Sequence, residues 1–326
     1  MHSVLGEPRR VESIFFGGGT PSLLPGRHIR QILQWIESSF PVDASTEITL
    51  EANPETVSEA FCKELLLTKV NRVSLGAQSF KQENLKALER LGKRESIHEA
   101  VRLLWETGYR SLSLDLIFGI PGQTMQSFRE DLQEAFLLPI KHFSAYQLSL
   151  KVAHPLYDHL PLEERALEFY ELLEHWPRES GFHQYEISNY AKPGAECRHN
   201  LLYWDGGDYL GIGPSAASRF FVEGSFRHRK QLADVKRYLQ TPELRSEQFE
   251  ATTLPQTVLE AAFLELRKNS GLSLKGFKDR YSFDLRGGKK FALFKEQGLI
   301  LEKEGDLFLT SKGRLLADSV TSELVD

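Results

Sequence analysis

The chain has 326 residues, 41% of them hydrophobic and 26% charged, a globular balance with length for one large or two moderate domains, which excludes disorder and collagen-like structure. A formal net charge of −5 gives no general electrostatic reason to bind nucleic acid or an anionic membrane surface. No apolar stretch reaches the roughly 18 residues of a membrane-spanning helix. Met1 to Arg10 also lacks the apolar core of a signal peptide, and Cys62 and Cys197 belong to no close-spaced pattern, so a cytoplasmic protein without a disulfide framework is expected.

From Val11 to about Ile187, short apolar runs alternate with amphipathic stretches of helical length, the pattern of strand-helix units around a parallel sheet. The expected strands are Val11–Phe16, Glu47–Ala52, Arg72–Gly76, Ser111–Ile117, His142–Leu148 and Tyr185–Ile187. Between them Ile29, Ile32, Leu33 and Ile36 recur at helical spacing, as do Ile97, Val101 and Leu104, then Leu167, Tyr170 and Leu173; these faces should pack on the sheet. The Gly/Pro-rich segment Ala191–Gly213 ends the alternation. Beyond it, a helix around Val258–Leu266, a second at Phe291–Glu296, a hairpin of Gly298–Leu301 and Leu307–Thr310 about Glu304-Gly305-Asp306, and a helix at Lys312–Val320 suggest a small winged-helix-like α+β domain.

The strands are followed by polar, glycine-rich segments. The first precedes Gly17-Gly18-Gly19-Thr20-Pro21, where residues without side chains let a ligand approach backbone N–H and C=O groups. After the next come Glu51-Ala52-Asn53-Pro54-Glu55, then Gly76-Ala77-Gln78-Ser79-Phe80, then Asp115 through Gly122-Gln123. A single acid at such a position is commonly a cap or a surface charge. Four polar positions in register at strand carboxyl ends favour one shared pocket.

In this order, GGGTPSLL, EANPE, LGAQSF and LDLIFGIPGQT resemble the core motifs of the oxygen-independent coproporphyrinogen III oxidase and haem-chaperone branch of the radical S-adenosylmethionine (SAM) proteins, over nearly the whole chain. The resemblance implies an α/β fold: an incomplete parallel (β/α) radical SAM barrel over residues 1–190, a connecting segment at 191–245, and the winged-helix-like domain at 246–326. It implies that Gly18, Gly19 and Thr20 contact SAM through the glycine loop, that Glu51, Gln78 and Asp115 contact its polar groups, and that Ser149 matches a further position. The family's arginine after the LGAQSF-like motif falls on Arg90 by counting from Gln78 and on Lys93 by the local Leu-Gly pair; either is also readable as a solvated helix charge.

The segment Cys197-Arg198-His199-Asn200-Leu201-Leu202-Tyr203-Trp204 resembles the His-Asn-x-x-Tyr-Trp motif of the haem-chaperone subfamily. It makes His199 the candidate haem-iron ligand, with Tyr203 and Trp204 packing on the porphyrin, against a purely structural role for the same histidine. Cys197 is either a second candidate ligand or a small buried residue, and Gly211 to Ala216 either approaches SAM or forms a turn.

Radical SAM chemistry also takes a 4Fe-4S cluster held by Cys-x3-Cys-x2-Cys, a motif absent from this sequence. The expectation is a chain without the family's first strand, cysteine loop and helix, with cluster and SAM functions impaired or absent and Val11–Phe16 left as a sheet edge. The leading functional expectation is a haem chaperone that delivers haem to respiratory haem proteins, membrane-associated ones among them. The enzymatic alternative is oxidative decarboxylation of coproporphyrinogen III to protoporphyrinogen IX. Nucleic-acid binding through the C-terminal domain is the weakest reading.

Overall fold

In the computed structural model, which describes residues 9–240 and 249–325, the β-rich runs of the first half become one seven-stranded sheet. Its strands are β1 (Ser13–Phe16), β2 (Glu47–Ala52), β3 (Arg72–Gln78), β4 (Leu112–Phe118), β5 (His142–Gln147), β6 (His183–Gln184) and β7 (Asn189–Ala191), in the order β1-β2-β3-β4-β5-β7-β6. Pairing is parallel from β1 to β5, as helical crossovers require, and antiparallel for β5–β7 and β7–β6. At the β1 edge, the pairing among the described residues is with β2 alone.

Tyr185–Ile187 is not a parallel strand as expected. It is the tight link between β6 and β7, closed by the Gln184 side-chain amide donating to the Ile187 carbonyl at 2.9 Å and by the Ser188 N–H donating to the Glu186 carboxylate at 2.9 Å. Local side-chain bonding of this kind competes with extended pairing.

Helices cover the apolar side of the sheet. Gly26–Ser39 buries Ile29 and Leu33, Arg94–Thr107 buries Ile97, Val101 and Leu104, and both contribute to the core with Leu50, Leu75, Leu114 and Phe143. Met125–Leu137 starts with a capping box between Thr124 and Ser127, and Arg94–Thr107 stops at Gly108, whose φ of 108° a side chain would disfavour. In Glu163–Glu179 the apolar face is carried by Phe169 and Leu173, whereas Leu167 is 40% exposed, one position off the buried stripe.

The chain divides into two compact units, Met1–His199 and Asn200–Asp326. The second holds two three-stranded sheets: β8 (Ala217–Val222), β9 (Ser225–Lys230) and β10 (Glu250–Ala251) in the order β10-β9-β8, and β11 (Leu272–Ser273), β12 (Ile300–Lys303) and β13 (Asp306–Leu309) in the order β11-β13-β12. The hairpin of β8 (Ala217–Val222) and β9 (Ser225–Lys230), unexpected from sequence, turns on Glu223 and Gly224, both at positive φ. The hairpin of β12 (Ile300–Lys303) and β13 (Asp306–Leu309) turns in the same manner on Glu304 and Gly305. The expected helix at Lys312–Val320 is two helices, Ser311–Leu315 and Ala317–Val325: at Leu316, with φ −115° and ψ 25°, the chain leaves helical geometry and its N–H turns back to the Gly313 carbonyl at 3.1 Å. The expected boundary at 245/246 lies outside the described residues. Among the described residues no helix is long and apolar enough to cross a membrane.

Candidate functional site

Register fixes which side chains share the inner face of the parallel sheet. Thr49 pairs with Arg72, Glu51 with Ser74, Ser74 with Ser113 and Asp115 with Ser144, so polar residues at alternate positions stand side by side across four strands. The intervening residues, such as Leu50, Val73, Leu114 and Phe143, are fully buried on the helix side.

At the carboxyl ends, Glu51 accepts the backbone N–H of Gly18, and burial together with the nearby Asp115 carboxylate pushes its pKa up. Burial raises Asp115 as well, opposed by Ser144, whose Oγ lies 2.8 Å from it, by the Arg72 charge, and by Ser74, whose Oγ lies 3.2 Å from Oδ2. Gly18, Glu51 and Asp115 are thereby brought together.

Each glycine of the loop meets a different constraint. A Cβ at Gly17 would lie 2.9 Å from the Phe15 ring, and Gly18 has φ +86°. Gly19 has open space where its Cβ would stand, so packing within the protein does not demand it. Thr20 Oγ1 accepts the Asn53 side-chain amide at 3.4 Å, and Ser22 Oγ accepts the Asn53 backbone N–H at 3.2 Å; the first two loops are tied to each other.

Gln78 ends β3 beyond a register irregularity and has φ +63°, a left-handed conformation for a residue with a full side chain. A second layer secures this turn. Asp131, 1% exposed, accepts the Ser79 hydroxyl at 2.6 Å and the Phe80 N–H at 2.8 Å, and its pKa is pushed up to about 6 by burial. Of the remaining expected contacts, Ser149 is exposed in the loop after β5, Arg90 is exposed after the helix Gln82–Ala87, and Lys93 precedes the helix Arg94–Thr107. Sequence reading passed over Ser74, Ser144, Arg72 and Asp131; the signal for the first three was a polar residue at every second position of a parallel strand.

His199 lies near the opposite, amino-terminal end of the same face. Glu47 on β2 accepts the N–H groups of Arg198 and His199 at 3.1 and 2.9 Å, capping the short helix Arg198–Trp204. The His199 Nδ1 is 2.9 Å from Ser13 Oγ, and the imidazole stacks on Phe15 with centroids 4.8 Å apart and planes at 24°. Burial, aided by Arg72 and opposed by Glu47, pulls its pKa down to about 4, so the ring is neutral near pH 7. Cys197 is fully buried, its Sγ 3.5 Å from Glu47, while Cys62 belongs to the helix-side core. In the second unit Tyr203 stacks on Tyr209 at 4.3 Å, and the Arg267 guanidinium lies 4.6 Å from the centre of the Trp204 ring. No group of three His, Cys, Asp or Glu side chains placed to hold a metal ion occurs among the described residues.

Comparison with known proteins adds four findings. The profile of the Radical SAM superfamily matches residues 4–135. Heme chaperone HemW of Bacillus subtilis is 33% identical over 323 residues, covering 95% of this chain and 84% of the relative. HemW of Escherichia coli is 37% identical over 253 residues, covering 76% and 67%. In three dimensions, coproporphyrinogen III oxidase (HemN) of Escherichia coli, a radical SAM enzyme, superposes with a TM-score of 0.78 at 22% identity, over 97% of this chain and 78% of its own; at that identity the likeness is one of fold.

Proposed function

Since the chain belongs to the HemW family of haem chaperones within the radical SAM superfamily, we propose that it binds haem through His199 and passes it to haem-accepting respiratory proteins. The observation that supports this reading is the placement of the imidazole: Phe15 stacks on its plane at 4.8 Å and Ser13 Oγ lies 2.9 Å from its Nδ1, which together orient the ring, while burial favours its neutral, lone-pair-bearing form. Tyr203 and Trp204 belong to the other unit.

The family also implies SAM and a 4Fe-4S cluster. Residues on the upper inner face suit SAM. The Gly18 and Gly19 backbone is open to a ligand, while Glu51 and Asp115 offer carboxylates to a cationic, hydroxyl-bearing molecule and Gln78 an amide. Bound there, SAM supplies radical chemistry only beside a reduced cluster. Cys62 and Cys197 do not fit such a cluster, since it takes neighbouring thiolates and these two are buried on opposite faces of the sheet.

The test is haem titration of the wild type, His199→Ala and, as a control outside the motif, His183→Ala. His199→Ala should alter the haem absorption bands and weaken binding while the control matches wild type. Unchanged bands and affinity in a folded His199→Ala protein would reject the ligand assignment. Transfer of bound haem to an apo respiratory haem protein tests delivery, and protoporphyrinogen IX formed from coproporphyrinogen III would replace chaperoning with the oxidase activity.

A further inference from the structure

A neutral imidazole carries one N–H, and the partner of one ring nitrogen decides which nitrogen can face a metal. In His199 the Nδ1 is taken up by a residue 186 positions earlier in the chain, Ser13, at 2.9 Å. The pairing is not an isolated surface contact. Ser13 and Phe15 are alternate residues of β1, so both project from the same face of the strand, and they hold the imidazole by its edge and by its plane. The β1–β2 register sets Ser13 opposite Glu47, and Glu47 in turn accepts the His199 backbone N–H at 2.9 Å. Two neighbouring strands therefore grip the ring edge, the ring plane and the backbone of one histidine.

We propose that Ser13 is a positioning residue for haem binding: its hydroxyl accepts the Nδ1–H of His199, fixes the Nε2-ligating tautomer, and directs Nε2 at the iron. The inference rests on His199 being the haem ligand. An accepting hydroxyl on Nδ1 makes the opposite nitrogen a stronger donor, the role that outer partners commonly fill for metal-bound histidines. Phe15, stacked on one face of the ring, hinders the rotation about Cβ–Cγ that would exchange the two nitrogens. The face-on stack also keeps the ring where Ser13 can reach it.

Haem titration and spectroelectrochemistry of wild type, His199→Ala, Ser13→Thr and Ser13→Val form the test, with circular dichroism as the check on folding. Thr and Val have nearly the same volume and both suit a strand, so the pair isolates the hydroxyl. Ser13→Val should bind haem about tenfold or more weakly. Its haem bands should be displaced and the reduction potential raised, because the imidazole donates less; Ser13→Thr should restore all three. A merely structural serine would leave the potential of the bound haem unmoved. If His199→Ala changes the spectrum while Ser13→Val and Ser13→Thr behave alike, the positioning role is overturned and haem ligation stands. If His199→Ala leaves the spectrum unchanged, the haem-ligand reading fails and the role of Ser13 fails with it.

Discussion

The two faces of the parallel sheet differ more than any two elements of the fold. On the helix side Ile48, Leu50, Val73, Leu75, Leu112, Leu114, Leu116 and Phe143 are each at most 2% exposed. On the other side the same strands carry Glu47, Thr49, Glu51, Arg72, Ser74, Ser113, Asp115, His142 and Ser144. Parallel strands covered by apolar layers on both faces read as continuous hydrophobic runs; strict alternation in a parallel sheet marks one face as a polar interior. Such a face has to satisfy its own hydrogen bonds. It does so in chains, Ser113 to His142 to Tyr185 at 2.7 and 2.9 Å and Ser74 to Asp115 to Ser144, while buried Thr49 Oγ1 has no hydrogen-bond partner among the described residues. Apolar cohesion is concentrated on one face and polar, titratable groups on the other.

The comparison makes its largest prediction on the helix side. Leu114 is fully buried at the centre of the sheet, so Leu114→Ala should lower the unfolding free energy by about 2–5 kcal/mol, read from urea midpoints at constant m. A loss below about 1 kcal/mol would show that this face is not where cohesion resides.

Asp131 crosses the division, a carboxylate buried on the helix side to hold the Ser79–Phe80 turn. Its folded pKa of about 6 exceeds the ordinary 3.8, so the folded state binds the proton more tightly than the unfolded chain. The stabilisation is complete below the unfolded pKa and is lost as pH rises from about 4 to about 6. Relative to Asp131→Asn, wild type should therefore lose up to about 3 kcal/mol over that interval. Parallel pH profiles of the two proteins would show Asp131 to be already ionised at no cost, and the burial argument would fall.

Much of this was legible in the sequence because it is local. β2 is bounded as its alternation predicts, and the glycines after β1, Glu51 near the end of β2 and Asp115 within β4 announced the polar face of the sheet. What stayed hidden depends on distance or on backbone conformation. No pattern links Ser13 to His199 across 186 positions, and Asp131 reads as an ordinary helix acid until β3 is packed against it. The β8–β9 hairpin was missed because its turn, Glu223-Gly224, lacks the Asn-Gly or Asp-Gly signal. Nor does glutamine announce the left-handed turn at position 78, as glycine would have done.

That turn supplies the smallest effect and the sharpest test of whether binding geometry is maintained against stability. With φ at +63°, Gln78 adopts a conformation that costs an ordinary residue about 1 kcal/mol and glycine almost nothing. Gln78→Ala removes the amide but keeps the backbone penalty; Gln78→Gly removes both, while its added freedom in the unfolded chain offsets part of the gain. The glycine variant should therefore be the more stable of the two by up to about 1 kcal/mol in urea unfolding. Neither variant offers an amide to a ligand at the rim of the inner face. Were the alanine variant equally stable or more so, the turn would be unstrained, and a glutamine there would need no binding role to explain it.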